Sequence, residues 1–223
     1  MLHFLSRYYK ELNHCIYHLI IITGIILGLV KFKKLTTGSR IFLLLLIITP
    51  LEELAGFYCA VQYHNNHFIY DPFNLLQFTL ICWAFYSESR SKAIWIVFAV
   101  FIFSAGINAA FFQPFLRSSN SNTLMVEYLL VIVLYFMYLV SYFKRTEEGS
   151  LKAYPLFWIG LGWLLFSIAS IVAFGFSNLV TDGTYWDEVS DWVRRISNYL
   201  LYLSFFIGFL SAQKSLNDIP ERK

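Results

Sequence analysis

The chain has 223 residues, 58% of them hydrophobic, 20% aromatic and only 14% charged, against about 25% charged in a soluble domain. The charges fall in short clusters between long apolar runs, which excludes an ordinary soluble fold and points to an all-α, polytopic membrane bundle occupying 1–223 as a single domain. A net charge of +3, with no basic stripe and no nucleic-acid motif, gives no reason to expect a nucleic-acid partner; membrane lipid is the expected surrounding.

Runs of about 17–22 apolar residues predict seven transmembrane helices, at 14–30, 41–62, 72–87, 93–112, 123–143, 155–177 and 193–212. The first follows Arg7 and Lys10 but ends in GLVKFKK with no small-residue cleavage site, so it reads as a retained helix. Breakers separate the runs: Thr36 to Ser39, Asn65-Asn66 with Asp71-Pro72, Gln113-Pro114 through Asn122, Glu148 to Ser150, and Asp182-Gly183. The third helix is expected to be short, and the connection at 178–192 to be the longest loop, lying against the membrane surface. Continuous apolar runs without polar alternation argue against strands, since backbone groups in lipid must be satisfied within each segment. Trp83, Trp95, Trp158, Trp186 and Trp192 lie near predicted helix ends as interfacial anchors. Gly24 with Gly28, and Gly160 with Gly162, read as sites of close helix approach. Cys15, Cys59 and Cys82 read as buried thiols.

With seven crossings, one face carries five of the seventeen basic residues (Arg7, Lys10, Arg117, Arg194, Arg195) and the other carries twelve. The positive-inside rule puts the twelve in the cytoplasm, the N-terminus outside and the C-terminus inside.

The second helix holds the chemistry. Glu52 and Glu53 follow Pro50 near the middle of an apolar run. A charge at the bilayer centre costs about 2.5–3.5 kcal/mol on insertion scales, so such residues face a protein interior or a wet cavity. Being adjacent, the two acids point roughly 100° apart. Packing, a ligand or coupling site, and an ion path all remain open for them. Pro50 leaves a carbonyl without its helical donor. Gln77, Asn108, Glu127 and Asn198 fall near the outer ends of their helices, and the inner half carries no acid until the loops. This asymmetry fits either an outward-opening polar cavity floored by Glu52 and Glu53, or simply wet helix ends. His14 and His18 stand four apart on the first helix, and His64 and His67 close the second; with the acids they make a weak candidate metal shell. No GxSxG, HExxH, P-loop or dinucleotide glycine motif is present, and no cofactor is expected.

The stretches GFYCAVQYHNNHFIYDPFNLLQF, INAAFFQPF followed by NTLMVEYLL, YPLFWIGLGWLLF and ISNYLLY together resemble an uncharacterised family of small seven-helix integral membrane proteins of Bacteroidetes-type bacteria, often encoded near sensor histidine kinases. The resemblance runs from the second helix onward, and Glu53, Gly56, Tyr70, Asn108, Glu127, Phe157, Trp158 and Asn198 match its pattern, whereas Gln77 stands where an acid is common. It implies a membrane location and signalling. The late histidine pairs of ceramidase-type amidases and the seventh-helix lysine of rhodopsins are both missing. The expected function is a non-enzymatic membrane sensor or signal relay with its pocket in the outer half of the bundle. Since these residues hold no output domain, a sensor kinase or other membrane protein is the expected partner. A proton- or cation-coupled transporter and a metal-dependent membrane hydrolase are the alternatives.

Overall fold

The computed structural model describes the backbone of residues 2–115, 120–145, 151–179 and 185–212, and the side chains of 15–115, 120–144, 151–175 and 188–212. Among them are seven α-helices: α1 (Leu2–Val30), α2 (Thr37–Tyr63), α3 (His67–Ser89), α4 (Ala93–Phe111), α5 (Ser121–Arg145), α6 (Pro155–Leu179) and α7 (Tyr185–Leu210). Four helical stretches, Thr37–Tyr63, Ala93–Phe111, Ser121–Lys144 and Pro155–Gly175, are long and apolar enough to cross a membrane.

Several boundaries differ from those expected. Asp71-Pro72 is not a break: α3 starts four residues before Asp71 and carries Pro72 in its second turn, where the missing N–H leaves Phe68 O without its helical donor. The third helix is therefore long, and it brings Asp71 and Glu88 into the interior at 2% exposure each. The inner half thus does hold an acid within a helix. The break between the first two helices ends at Thr36, which caps α2 with its Oγ1 accepting from Ser39 N at 3.2 Å, and Thr37 to Ser39 already belong to α2. The long 178–192 connection shrinks, because α6 reaches Leu179 and α7 begins at Tyr185. Asn65 ends the second turn region as expected, with its Oδ1 accepting from His67 N at 2.9 Å. Glu148 to Ser150, Asp182-Gly183 and the Trp186 side chain lie outside the described residues.

Cross-helix contacts fix the direction of each helix. Gly28 meets Leu43 while Tyr17 meets Glu53, so α1 and α2 are antiparallel. Gly38 meets Glu88 and Gly56 meets Tyr70, which reverses α3 again. At the far end of the chain Tyr17 meets Tyr202 and Lys31 Nζ donates to Leu210 O at 2.6 Å, so α1 and α7 run parallel. The result is an up-and-down bundle in which α1, α2, α3, α5, α6 and α7 close a ring and α4 leans on α3 and α5 from outside. One end of the bundle holds the α2–α3 and α4–α5 connections. The other holds the α1–α2 and α3–α4 connections and the end of α7.

The tightest seam joins α6 to α7. A Cβ on Gly162 would lie 1.8 Å from Ser204 Oγ, and one on Gly208 would lie 3.0 Å from Pro155 O. Only hydrogen atoms at these positions let the two backbones approach so closely. The lower half of the ring is filled with aromatic rings: Phe42 lies edge-on to Phe85 and Phe205, at 5.9 and 5.7 Å, and Phe205 meets Phe209 at 6.1 Å. None of these four is more than 1% exposed.

Outward, the helices are apolar in a regular way. Exposed side chains recur at steps of three and four along α4 (Ile96, Val100, Phe103, Ile107, Phe111), α5 (Leu129, Val133, Phe136, Val140, Phe143) and α7 (Ile196, Leu200, Leu203, Ile207, Leu210). The buried stripe of α4, by contrast, is just Ile94, Phe101 and Asn108, at seven-residue steps. Large exposed apolar surfaces of this kind mark contact with lipid or with other protein.

Candidate functional site

Two chambers lie in the half of the bundle opposite the aromatic plug. The inner one, of about 310 Å³, is bounded by all six ring helices: Tyr17 from α1, Glu52 and Glu53 from α2, Tyr70 and Gln77 from α3, Tyr128 from α5, Trp163 and Phe166 from α6, and Asn198, Tyr202 and Phe205 from α7 among them. The outer one, of about 740 Å³, lies among the outer parts of α1, α2 and α7 and includes Asn66, His18 and Arg195. Both volumes fall in the range of roughly 300–1,000 Å³ usual for small-molecule sites. Tyr17, Glu53, Tyr70 and Asn198 line both and so form the partition between them.

Glu53 is the hinge of that partition. Tyr17 donates a short hydrogen bond to its Oε1, His18 Nε2 stands 3.7 Å from its Oε2, and the Tyr17 and Tyr202 hydroxyls lie 3.2 Å apart. One carboxyl group thereby ties α2 to α1 and, through Tyr17, to α7. It stands ten residues from Tyr63, which is ~15 Å below the end of α2 at 1.5 Å per residue. Gly56, one turn further out, has no side chain because Tyr70 occupies the space: a Cβ would sit 2.6 Å from the Tyr70 hydroxyl. The ring of Tyr70 can therefore lie flat over α2 at the junction of the chambers.

Glu52 is turned away from this network by the helical step of roughly 100°. It is 9% exposed, it lines only the inner chamber, and its Oε1 has no hydrogen-bond partner within the protein. Pro50 cannot donate to Leu46 O, one turn before it, and Leu46 lines the same chamber. Thr49 lines it too, although its hydroxyl is already committed to Leu45 O at 2.9 Å.

The remaining expected site residues divide. Gln77 and Asn198 line the inner chamber. Glu127 is completely buried and reaches the chamber only through Gln77, whose Nε2 donates to its Oε1 at 2.9 Å; its Oε2 has no partner. Asn108 is elsewhere. Its Nδ2 lies within hydrogen-bond distance of three acceptors, Asn120 Oδ1 at 2.7 Å, Thr123 Oγ1 at 3.0 Å and Gln113 Oε1 at 3.2 Å, among which its two hydrogens are shared, and its Oδ1 accepts from Asn122 at 3.1 Å. That amide clamps the α4–α5 connection and does not line either chamber.

Of the histidines proposed for a metal, His18 lies against Glu53, whereas His64 ends α2 in a left-handed conformation (φ 53°) and His67 opens α3. The His14 side chain lies outside the described residues. Among the described residues no three His, Cys, Asp or Glu side chains gather as a metal shell.

Tyr17, Tyr70, Tyr128, Trp163 and Tyr202 were not singled out from the sequence as site residues. For Trp163 a signal existed: it stands eight residues inside α6, too deep for an interfacial anchor. Tyr17 gave one as well, since it shares a helical face with His14. No family model, no curated protein and no solved structure matches this chain.

Proposed function

We propose that this chain is a seven-span protein of the bacterial cytoplasmic membrane, N-terminus outside, that binds a small molecule in its outer half and relays that event to a partner protein. The observation that carries the reading is the shape of the polar interior: two adjoining chambers on one side, which share four wall residues, and the fully buried rings of Phe42, Phe85, Phe205 and Phe209 on the other. A pocket with a sealed floor suits recognition, whereas carriage needs a path onward. Support for seven spans comes from the apolar stripe of α7 and from its counterpart on α1, Leu19, Ile22, Ile26 and Leu29, all exposed. Within the described residues α1 contributes the shorter apolar stretch Cys15–Val30, α7 carries charged residues in its first half, and α3 joins them as a 23-residue helix of the ring. The orientation rests on the twelve basic residues at one end.

The relay follows from the connections of Glu53. A ligand in the chambers competes with Tyr17 and His18 for that carboxyl group, and losing them frees α1 from α2. The other end of α1 is joined to the end of α7 through Lys31, beside the exposed Lys33 and Lys34. A shift at the partition therefore moves a basic surface on the cytoplasmic side, where a sensor kinase or another membrane protein would read it.

Single cysteines in a cysteine-free background test this reading with a charged, membrane-impermeant thiol reagent. Gln77→Cys, in the chamber wall, is expected to react in intact cells. Lys33→Cys should react only after permeabilisation, and Phe103→Cys, on the apolar face of α4, should stay inert in both. Labelling of Lys33→Cys from outside would overturn the orientation, and silence at Gln77→Cys would overturn the outward-opening pocket.

A further inference from the structure

Two residues that line the inner chamber from different helices each carry an unmatched polar atom. Glu52 Oε1 on α2 and Trp163 Nε1 on α6 both lack a hydrogen-bond partner within the protein, and their residues are only 9% and 3% exposed. One can only accept when ionised and the other can only donate. Buried polar groups are ordinarily satisfied, and both residues line the same cavity, so the unmatched pair points to a molecule in that cavity that complements both. The rest of the wall narrows the choice. Among its described lining residues are two carboxyl groups and no Lys, Arg or His, and eight of the eighteen are aromatic. His18 and Arg195 belong to the outer chamber alone. Acids among aromatic faces attract a cation by charge and by the ring quadrupole together.

Building on the pocket proposed above, we infer that the inner chamber recognises a small organic ammonium compound that also carries an acceptor oxygen, an amino alcohol or amino ketone with an apolar flank. The ammonium donates to Glu52 Oε1, the oxygen accepts from Trp163 Nε1, and the flank rests against Phe73, Phe166 and Tyr128. Each unmatched atom then gains its complement, and the ligand brings the positive charge that the wall lacks.

Three probes of one carbon skeleton separate these contributions at neutral pH: 2-amino-1-phenylethanol, 2-phenylethylamine without the oxygen, and 1-phenylethanol without the nitrogen. Titration calorimetry on the purified full chain is expected to rank them in that order. Loss of the nitrogen should weaken binding at least tenfold and loss of the oxygen about threefold. Glu52→Gln should remove the tenfold preference for amines and leave 1-phenylethanol unaffected, while Trp163→Phe should remove the preference for the hydroxyl. The Trp163→Phe comparison and the wild-type ranking carry the test should Glu52→Gln fail to fold. If 1-phenylethanol binds as tightly as the amines, or Glu52→Gln leaves amine binding unchanged, the cation assignment falls while the pocket stands. If none of the three binds, the assignment also falls, and the reaction of Gln77→Cys alone decides whether the pocket survives.

Discussion

Gly162→Leu is expected to abolish the folded bundle, and Gly162→Ala to weaken it by about 1–3 kcal/mol, the usual cost of overpacking a filled interior. The reason is local. An added Cβ would lie 1.8 Å from Ser204 Oγ and 2.6 Å from Ser204 Cβ, and the latter cannot swing aside without moving the backbone of α7. Leu201 O, 3.3 Å away, blocks the other direction. Ser204→Gly removes both clashing atoms, so Gly162→Ala combined with Ser204→Gly should recover most of the loss despite the added backbone freedom. Thermal unfolding of the detergent-solubilised protein reads this out. Simple additivity of the two substitutions would mean that the helices do not meet at this point.

The second large effect concerns the tie between α1 and α2. Tyr17→Phe and Glu53→Gln should each destabilise the protein, and their double-mutant cycle should give a coupling of about 1–2 kcal/mol, between the worth of a charge-assisted hydrogen bond and the smaller values found between membrane helices. The coupling should be absent when Tyr17→Phe is paired with Gln77→Ala, because Gln77 is bonded to Glu127 and not to this network. A Tyr17–Glu53 coupling near zero would remove the contact on which the proposed relay depends.

How far the sequence alone could reach depended on which interaction decided each feature. Pairs of acids in an apolar run are conspicuous because lipid penalises them so strongly, and that is why Glu52 and Glu53 could be placed in an interior before any fold was known. Gln77 and Asn198 were legible for the same reason. Asn108 shows the limit: an amide near a helix end looks the same whether it faces a cavity or ties down a loop, and only its four neighbours in space distinguish the two. Helix boundaries failed where tertiary contacts outweighed local signals. Asp71-Pro72 reads as a break, yet the one backbone bond lost at Pro72 is outweighed by the packing of α3, whose Asp71 and Glu88 are buried near either end. Trp163 was hidden for another reason. A tryptophan in a membrane helix invites an interfacial reading, and only its depth within α6 speaks against it.

The two adjacent acids have opposite physical standing. Glu53 has partners on α1 and helps hold the bundle together, whereas Glu52 has an oxygen with none and occupies the chamber wall at a cost to stability. Under the proposed function, that cost is the trade of stability for binding. The thermal unfolding of Glu52→Met measures this directly: replacing the unmatched carboxyl with an apolar side chain of similar length should raise stability by about 1–3 kcal/mol, the penalty of a buried unsatisfied polar group. If Glu52→Met instead melts earlier than the wild-type protein, Glu52 belongs to the scaffold, and the chamber loses the group on which its ligand was to stand.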